Sequence, residues 1–238
     1  QADESVLDKL MIAKEEGKLI DGHGPGIDGK DLNAYSAAGI LADHECSTVE
    51  EMEARLERGM YILLRQGSAC HNLRPLLKGV TPENSRRCLL CSDDRQPKTI
   101  LKDGHLDNHL KICVEEGLDA VTAIRMATLN AAECFRLHDR GAIAPGYRAD
   151  IVLLDDWKQV HVHAVYKDGV PVEQKIAAAR RVPAPAALTH TMHFAPVTPQ
   201  QLALPVQGKA HVIEMVPYQI VTRHAVEPVP SENGLFRP

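Results

Sequence analysis

Three short apolar runs in this chain end in residues that bind metals. Leu19-Ile-Asp-Gly-His23 delivers a histidine into Gly24-Pro25-Gly26. Ile40-Leu-Ala-Asp-His-Glu45 sets His44 between two acids, and Cys88-Leu-Leu-Cys-Ser-Asp-Asp-Arg95 stops in two carboxylates and an arginine. Neutral imidazole and carboxylate are ligands that zinc, iron and manganese accept. A hydrolytic centre takes them from several rigid strands and leaves a position for water, whose pKa the ion lowers to about 7. A neighbouring carboxylate then passes the proton to the leaving group. His23 and His44 are the ligand candidates, and Asp93 or Asp94 is the candidate for ligand and base together. Each has a plainer reading alone. A strand-end histidine is usually structural, Asp93-Asp94 suits a helix N-cap, and Arg95 suits their ion-pair partner. Two histidines at equivalent strand ends with a double aspartate on a third favour one shared site.

The elements that would position these groups alternate. Residues 5–17 read as a helix stopped by Gly17, 19–23 as a strand, and 28–38 as a helix entered at Asp28 and stopped by Gly39. Strand 40–42 follows, then a capping box Ser47-Thr-Val-Glu50 opening a charged helix through Gly59. Strand 60–64, a short helix 69–77 and strand 87–91 complete the alternation, which predicts a parallel sheet or barrel with right-handed crossovers. In such folds the strand C-termini form the functional face. Helices are expected over 105–116, 119–128 and 131–137. From Gly141 the pattern turns to β: a strand at 151–154, then 161–166 and 170–172 paired across Lys167-Asp168-Gly169. Residues 174–210 are rich in Ala, Pro and Gln and read as linker, and 212–216 and 219–222 read as strands. The fold class is therefore α/β, divided as 1–140, 141–173 and 174–238.

Other spacings carry less. His161-Val-His163 reads as a solvated strand face. His105 and His109 stand at i and i+4 without the glutamate of a zincin motif, and His109 reads as a surface residue. Cys88-x-x-Cys91 reads as core packing. The net charge of -5 and 4% aromatic content argue against nucleic acid. No apolar run approaches the ~18 residues of a membrane span. The acidic start is unlike a signal peptide, and six cysteines scattered through apolar elements suit a reducing, cytoplasmic setting.

With these residues in hand, the chain resembles the bacterial adenine deaminases of the amidohydrolase superfamily. The resemblance rests on Leu19-Ile-Asp-Gly-His-Gly-Pro-Gly-Ile-Asp-Gly-Lys-Asp-Leu-Asn-Ala-Tyr35, Asp43-His-Glu45, Arg65-Gln-Gly-Ser-Ala69 and Cys91-Ser-Asp-Asp-Arg95. Gly104-His-Leu-Asp107 and Ala144-Pro-Gly-Tyr-Arg-Ala-Asp-Ile-Val-Leu-Leu154 extend it. It implies a metal-dependent (β/α)8 barrel with a β-sandwich domain, and hydrolysis of adenine to hypoxanthine and ammonia for purine salvage. It also implies a binuclear Mn2+ or Fe2+ centre, with zinc as a further option, and a homo-oligomer. By position His23 and His44 match the histidines after strands five and six, and His44 also counts among the catalytic groups. Asp93 matches the strand-eight aspartate, metal ligand and general base, with exchange of roles with Asp94 left open. Glu45, Arg65, Ser68 and Arg95 would line the substrate pocket. Two departures stand out. The family's His-x-His after strand one and its bridging carboxylate after strand four are absent, and Gly24 and Gln66 replace a cysteine and a glutamate expected in some relatives. The expectation is thus the C-terminal half of the barrel, then part of the β-sandwich and, over 174–238, a linker and the start of a further region. Without the N-terminal half, metal binding should be poor and the chain inactive. The alternatives are another amidohydrolase, such as a cyclic amidase or different deaminase, and a non-catalytic fragment that keeps the fold.

Overall fold

The apolar runs pair as one parallel sheet. In the computed structural model, which describes residues 3–177, 183–189 and 191–237, the chain separates into two units. One comprises residues 1–172 with 218–220, the other 173–217 with 221–238. Of the expected 174–238 region, residues 178–182, 190 and 238 lie outside the described residues, as do residues 1 and 2 of the expected 1–140 region.

The first unit opens with α1 (Glu4–Glu15), β1 (Asp21–Gly22), α2 (Gly29–Ala37), β2 (Ala42–Asp43), α3 (Val49–Leu56), β3 (Tyr61–Arg65), α4 (Leu73–Leu77) and β4 (Cys88–Cys91). The strands lie in the order β1-β2-β3-β4, every pair parallel. Strand alternation sends Ile62, Leu64, Cys88 and Leu90 to one face and Leu63 and Leu89 to the other. Both faces are covered, which is why β3 and β4 read as unbroken apolar runs. Helices α4 and α6 (Leu106–Glu115) and α7 (Ala120–Ala127) supply Leu73, Leu76, Ile112, Ala123 and Met126 against the first face. Each fully buried Leu or Ile contributes about 1.5–3 kcal/mol. Cys134 of α8 (Leu129–Cys134) packs on the second face. Cys88 and Cys91 sit in different clusters on opposite faces, so the pair cannot ligate one ion; burial pushes the Cys88 thiol up to about 12. All six cysteines are free.

Several boundaries differ from the sequence reading. β1 and β2 span only two residues each, although Leu41 N–H still donates to Ile20 O at 3.0 Å beside their pairing. The box opening α3 is shifted by one residue: Thr48 Oγ1 accepts from Glu51 N–H, and Glu51 Oε2 accepts from Ser47 N–H. Helix α5 (Pro97–Asp103) was not foreseen; its proline stands at the first helical turn, where a missing N–H costs nothing. α8 begins and ends earlier than expected, and the chain leaves it with Arg136 at φ 56°.

The β part of this unit is a sheet β5-β6-β7 of Ile151–Asp156, His161–Lys167 and Val170–Pro171, antiparallel throughout. An apolar groove of about 960 Å³ runs between α6–α8 and β5–β6, lined by residues such as Leu106, Phe135, Val152 and Val162; none of the sequence-predicted site residues lines it. In the second unit, α9 (Val172–Ala177) precedes a hairpin of β8 (Lys209–Met215) and β9 (Thr222–Pro228) and a short pair β10 (Ser231–Glu232) and β11 (Leu235–Phe236). The strand expected at 219–222 is instead mostly the hairpin connection. A largely exposed two-stranded ribbon leaves little burial periodicity for sequence reading to follow. Among the described residues no helix is long and apolar enough to cross a membrane.

Candidate metal centre

The C-terminal ends of β1 and β2 bring two histidines to one carboxylate. His23 Nδ1 lies 3.0 Å and His44 Nε2 3.2 Å from Glu45 Oε1. The two imidazole centroids are 5.8 Å apart at 52°. Among the described residues these three form the one His/Cys/Asp/Glu group whose ligand atoms lie within 4.8 Å of one another. His23 is exposed, His44 half-buried, and Glu45 only 2% exposed. A hydrogen bond to Asp21 raises His44, against the opposing effect of burial.

Arg65, the last residue of β3, joins this cluster to β4. Its Nη1 lies 3.0 Å from Glu45 Oε1 and 2.7 Å from Asp93 Oδ2, and Nη2 reaches Asn72 Oδ1 at 3.3 Å. Burial pulls the Arg65 pKa down, but the Asp93 and Glu45 carboxylates outweigh it and the net shift is upward. Asp93 sits at φ 41°, a costly backbone for a residue with a side chain. That turn aims its half-exposed carboxylate at Arg65.

Asp94 faces elsewhere. Its Oδ2 accepts from Ser68 N–H at 3.1 Å and Ala69 N–H at 2.6 Å, bracing the loop after β3. The fit depends on Gly67, where a Cβ would lie 1.5 Å from Asp94 Oδ1. Ser68 Oγ hydrogen-bonds Thr99 Oγ1 and accepts from Gln96 N–H. Arg95 Nε and Nη1 donate to Gly104 O and Gln66 O. The structure therefore gathers His23, His44, Glu45, Arg65 and Asp93, and spends Asp94, Ser68 and Arg95 on loop bracing. His109, expected at the surface, is fully buried, with Nδ1 2.7 Å from His105 O and Nε2 3.0 Å from Cys91 O. Helix α6 packs over the end of β4, and that burial overturns the surface reading. His161 and His163 are exposed and both face Asp155.

One buried ion pair escaped the sequence reading. Asp43 and Arg55 pair at 3.2 Å, both with no exposed side-chain surface. The available signal was an acid directly before His44 in an apolar strand, and an arginine three residues from Met52 on a helix, hence on its buried side.

The donor set fits a divalent ion. Two imidazole nitrogens and a carboxylate converge, and Glu45 Oε2 is buried without a hydrogen-bond partner. Asp94 Oδ1 is likewise buried without a partner; an orphaned buried acceptor calls for an explanation, a bound ion or water among them. Comparison with known proteins agrees: the model of the amidohydrolase family matches residues 1–172. The chain belongs to the amidohydrolase family. Family members act through a divalent metal. Among curated relatives this amidohydrolase is 54% identical over 94% of its length to adenine deaminase 2 of Desulfotalea psychrophila, covering 39% of that protein. It is 48% identical over 99% of its length to an adenine deaminase of Nitratidesulfovibrio vulgaris, covering 42% of it. The chain thus spans about two fifths of the length of the curated relatives it matches. A β-aspartyl dipeptidase structure from Fervidobacterium islandicum covers 71% of the chain and 52% of the dipeptidase at 18% identity, with a TM-score of 0.54. At that identity the likeness speaks to fold alone, a TIM-barrel-type α/β architecture.

Proposed function

We propose that this amidohydrolase works in the hydrolytic deamination of adenine to hypoxanthine and ammonia. The convergence of two imidazoles on a buried, half-satisfied carboxylate at adjacent strand ends carries the hydrolytic reading. The choice of adenine follows from the relatives named adenine deaminase at 54% and 48% identity. His23, His44 and Glu45 would hold the divalent ion, Mn2+ or Fe2+ in a binuclear centre completed by residues outside this chain. When bound, that ion polarises water toward hydroxide at neutral pH. Asp93 is the proton carrier: it accepts a proton from the attacking water and returns it to the departing amine. Arg65 holds the Asp93 carboxylate toward the cluster through its 2.7 Å contact and keeps Glu45 in register. Asp94 serves the backbone rather than the reaction, and Ser68 and Arg95 keep the β3 and β4 loops in place. In this reading residues 1–140 form the C-terminal half of the barrel, and 141–173 belong to a β-sandwich.

Ammonia release from adenine by the full-length protein tests the reading, with His23→Ala and Asp93→Asn beside it and metal measured by elemental analysis. His23→Ala should lose bound metal and activity together. Asp93→Asn should keep the metal and lose about 10²- to 10⁴-fold in kcat. Unchanged metal content and ammonia release in His23→Ala would remove the site. Turnover of a cyclic amide but not adenine would keep the site and change the substrate.

A further inference from the structure

We infer that Arg55, whose hydrogen bonds go to Asp43, Glu51 and Gly24 rather than to the three clustered ligand residues, sets the spacing of the two histidine loops and through it the affinity for metal. Its side chain comes from α3 and is fully buried. Nη2 donates to Gly24 O at 2.5 Å, the residue directly after His23. Nε donates to Asp43 Oδ2 at 3.2 Å, the residue directly before His44. Nη1 donates to Glu51 O at 3.1 Å, anchoring the group on its own helix. Asp43 in turn accepts from Glu45 N–H through Oδ1 at 2.7 Å. One planar guanidinium therefore ties the loop carrying His23 to the strand end carrying His44 and Glu45.

The arrangement needs arginine and glycine. An ammonium is a point charge on a flexible stem and lacks the rigid fork that reaches three acceptors in different directions. A Cβ at Gly24 would stand 2.9 Å from Asp43 Oδ2, so the bare backbone lets the first loop close on the second. A buried ion pair is weak as a source of stability, and in some proteins such groups instead select one geometry. Here the selected geometry is the convergence of two imidazoles.

Arg55 is a positioning residue, and the inference rests on reading the His23–His44–Glu45 cluster as a metal centre. The test is titration of the metal-free full-length protein with Mn2+ by calorimetry, with thermal unfolding measured alongside. Arg55→Lys should bind Mn2+ about 10- to 100-fold more weakly at temperatures where it is folded, the usual cost of losing a group that orients ligands. Asp43→Asn, which keeps shape but removes the charge, covers the case in which Arg55→Lys does not fold and should weaken binding in the same direction. Wild-type affinity in either folded variant, with only the melting temperature lowered, would make Arg55 a fold residue and overturn the inference. His44→Ala separates the two ideas. If it binds Mn2+ as the wild type does, the metal reading itself fails; if it loses binding while Arg55→Lys keeps it, only the positioning role fails.

Discussion

The ends of β2 and β4 each carry two acids, and in each one acid is consumed by bracing while the other is presented. At β2, Asp43 is locked between Arg55 and the Glu45 amide, and Glu45 turns to the imidazoles. At β4, Asp94 is locked on the Ser68 and Ala69 amides, and Asp93 turns to Arg65. The bracing acid differs in kind. Asp43 is fully buried against a buried cation, whereas Asp94 takes backbone donors near the surface. The β2 end depends on buried charge pairing; the β4 end is held by ordinary loop hydrogen bonds and leaves the Asp93 carboxylate partly in water. That difference suits the proposed roles: a ligand must hold still, while a proton carrier must reach both water and leaving group.

The comparison breaks most visibly at Asp43. Asp43→Ala leaves Arg55 buried without its partner, which costs about 3–5 kcal/mol, a large share of what holds a domain folded. Denaturant unfolding should show it, and a loss below about 1 kcal/mol would mean that the pair is not buried as described. Asp94→Ala removes the acceptor of two amide donors and should cost about 1.5–3 kcal/mol in the same experiment. Asp93→Ala should cost no more than about 1 kcal/mol, because its ion pair is partly solvated. The two neighbours thus separate oppositely: Asp94→Ala lowers stability most, Asp93→Ala lowers kcat most. Equal stability losses at both would erase the division of labour. A smaller control is Thr48→Ala, which removes the side-chain cap of the helix that carries Arg55 and should cost about 1 kcal/mol.

Strand-helix alternation was legible because covered parallel strands are continuous apolar runs, as in Tyr61–Arg65 and Cys88–Cys91. That His23 and His44 would stand at neighbouring strand ends was legible because each follows an apolar run. The partition of the acids was not. Asp93 and Asp94 are neighbours of one type, and only the φ of 41° at Asp93 and the absent Cβ at Gly67 decide which side each faces. The family resemblance implies a pocket role for Glu45; that its Oε1 falls between His23 and His44 is visible only in the fold. The spacing from Met52 places Arg55 on the buried side of its helix but does not show which loops it ties, because Asp43 and Gly24 lie twelve and thirty-one residues away.

Two histidines sharpen the contrast at the smallest scale, through the sign of their pH dependence. His44 at the β2 end is raised, chiefly by its bond to Asp21. The folded protein then holds that proton more tightly than the unfolded chain. Its stabilisation is complete below the unfolded pKa and fades as pH rises through the raised value. His109 beneath β4 is lowered, chiefly by burial, although two backbone carbonyls face its ring nitrogens and favour the cation. The unfolded chain binds that proton more tightly, so its contribution is present above the unfolded pKa and is lost as pH falls through the lowered value. In metal-free protein, His109→Gln should flatten the acid side of the stability-pH curve, and His44→Gln the side above the unfolded histidine pKa. The readout is slope, because replacing His109 also removes packing at every pH. An acid-side slope that His109→Gln leaves unchanged would mean that His109 contributes none of it and that burial does not dominate at that ring.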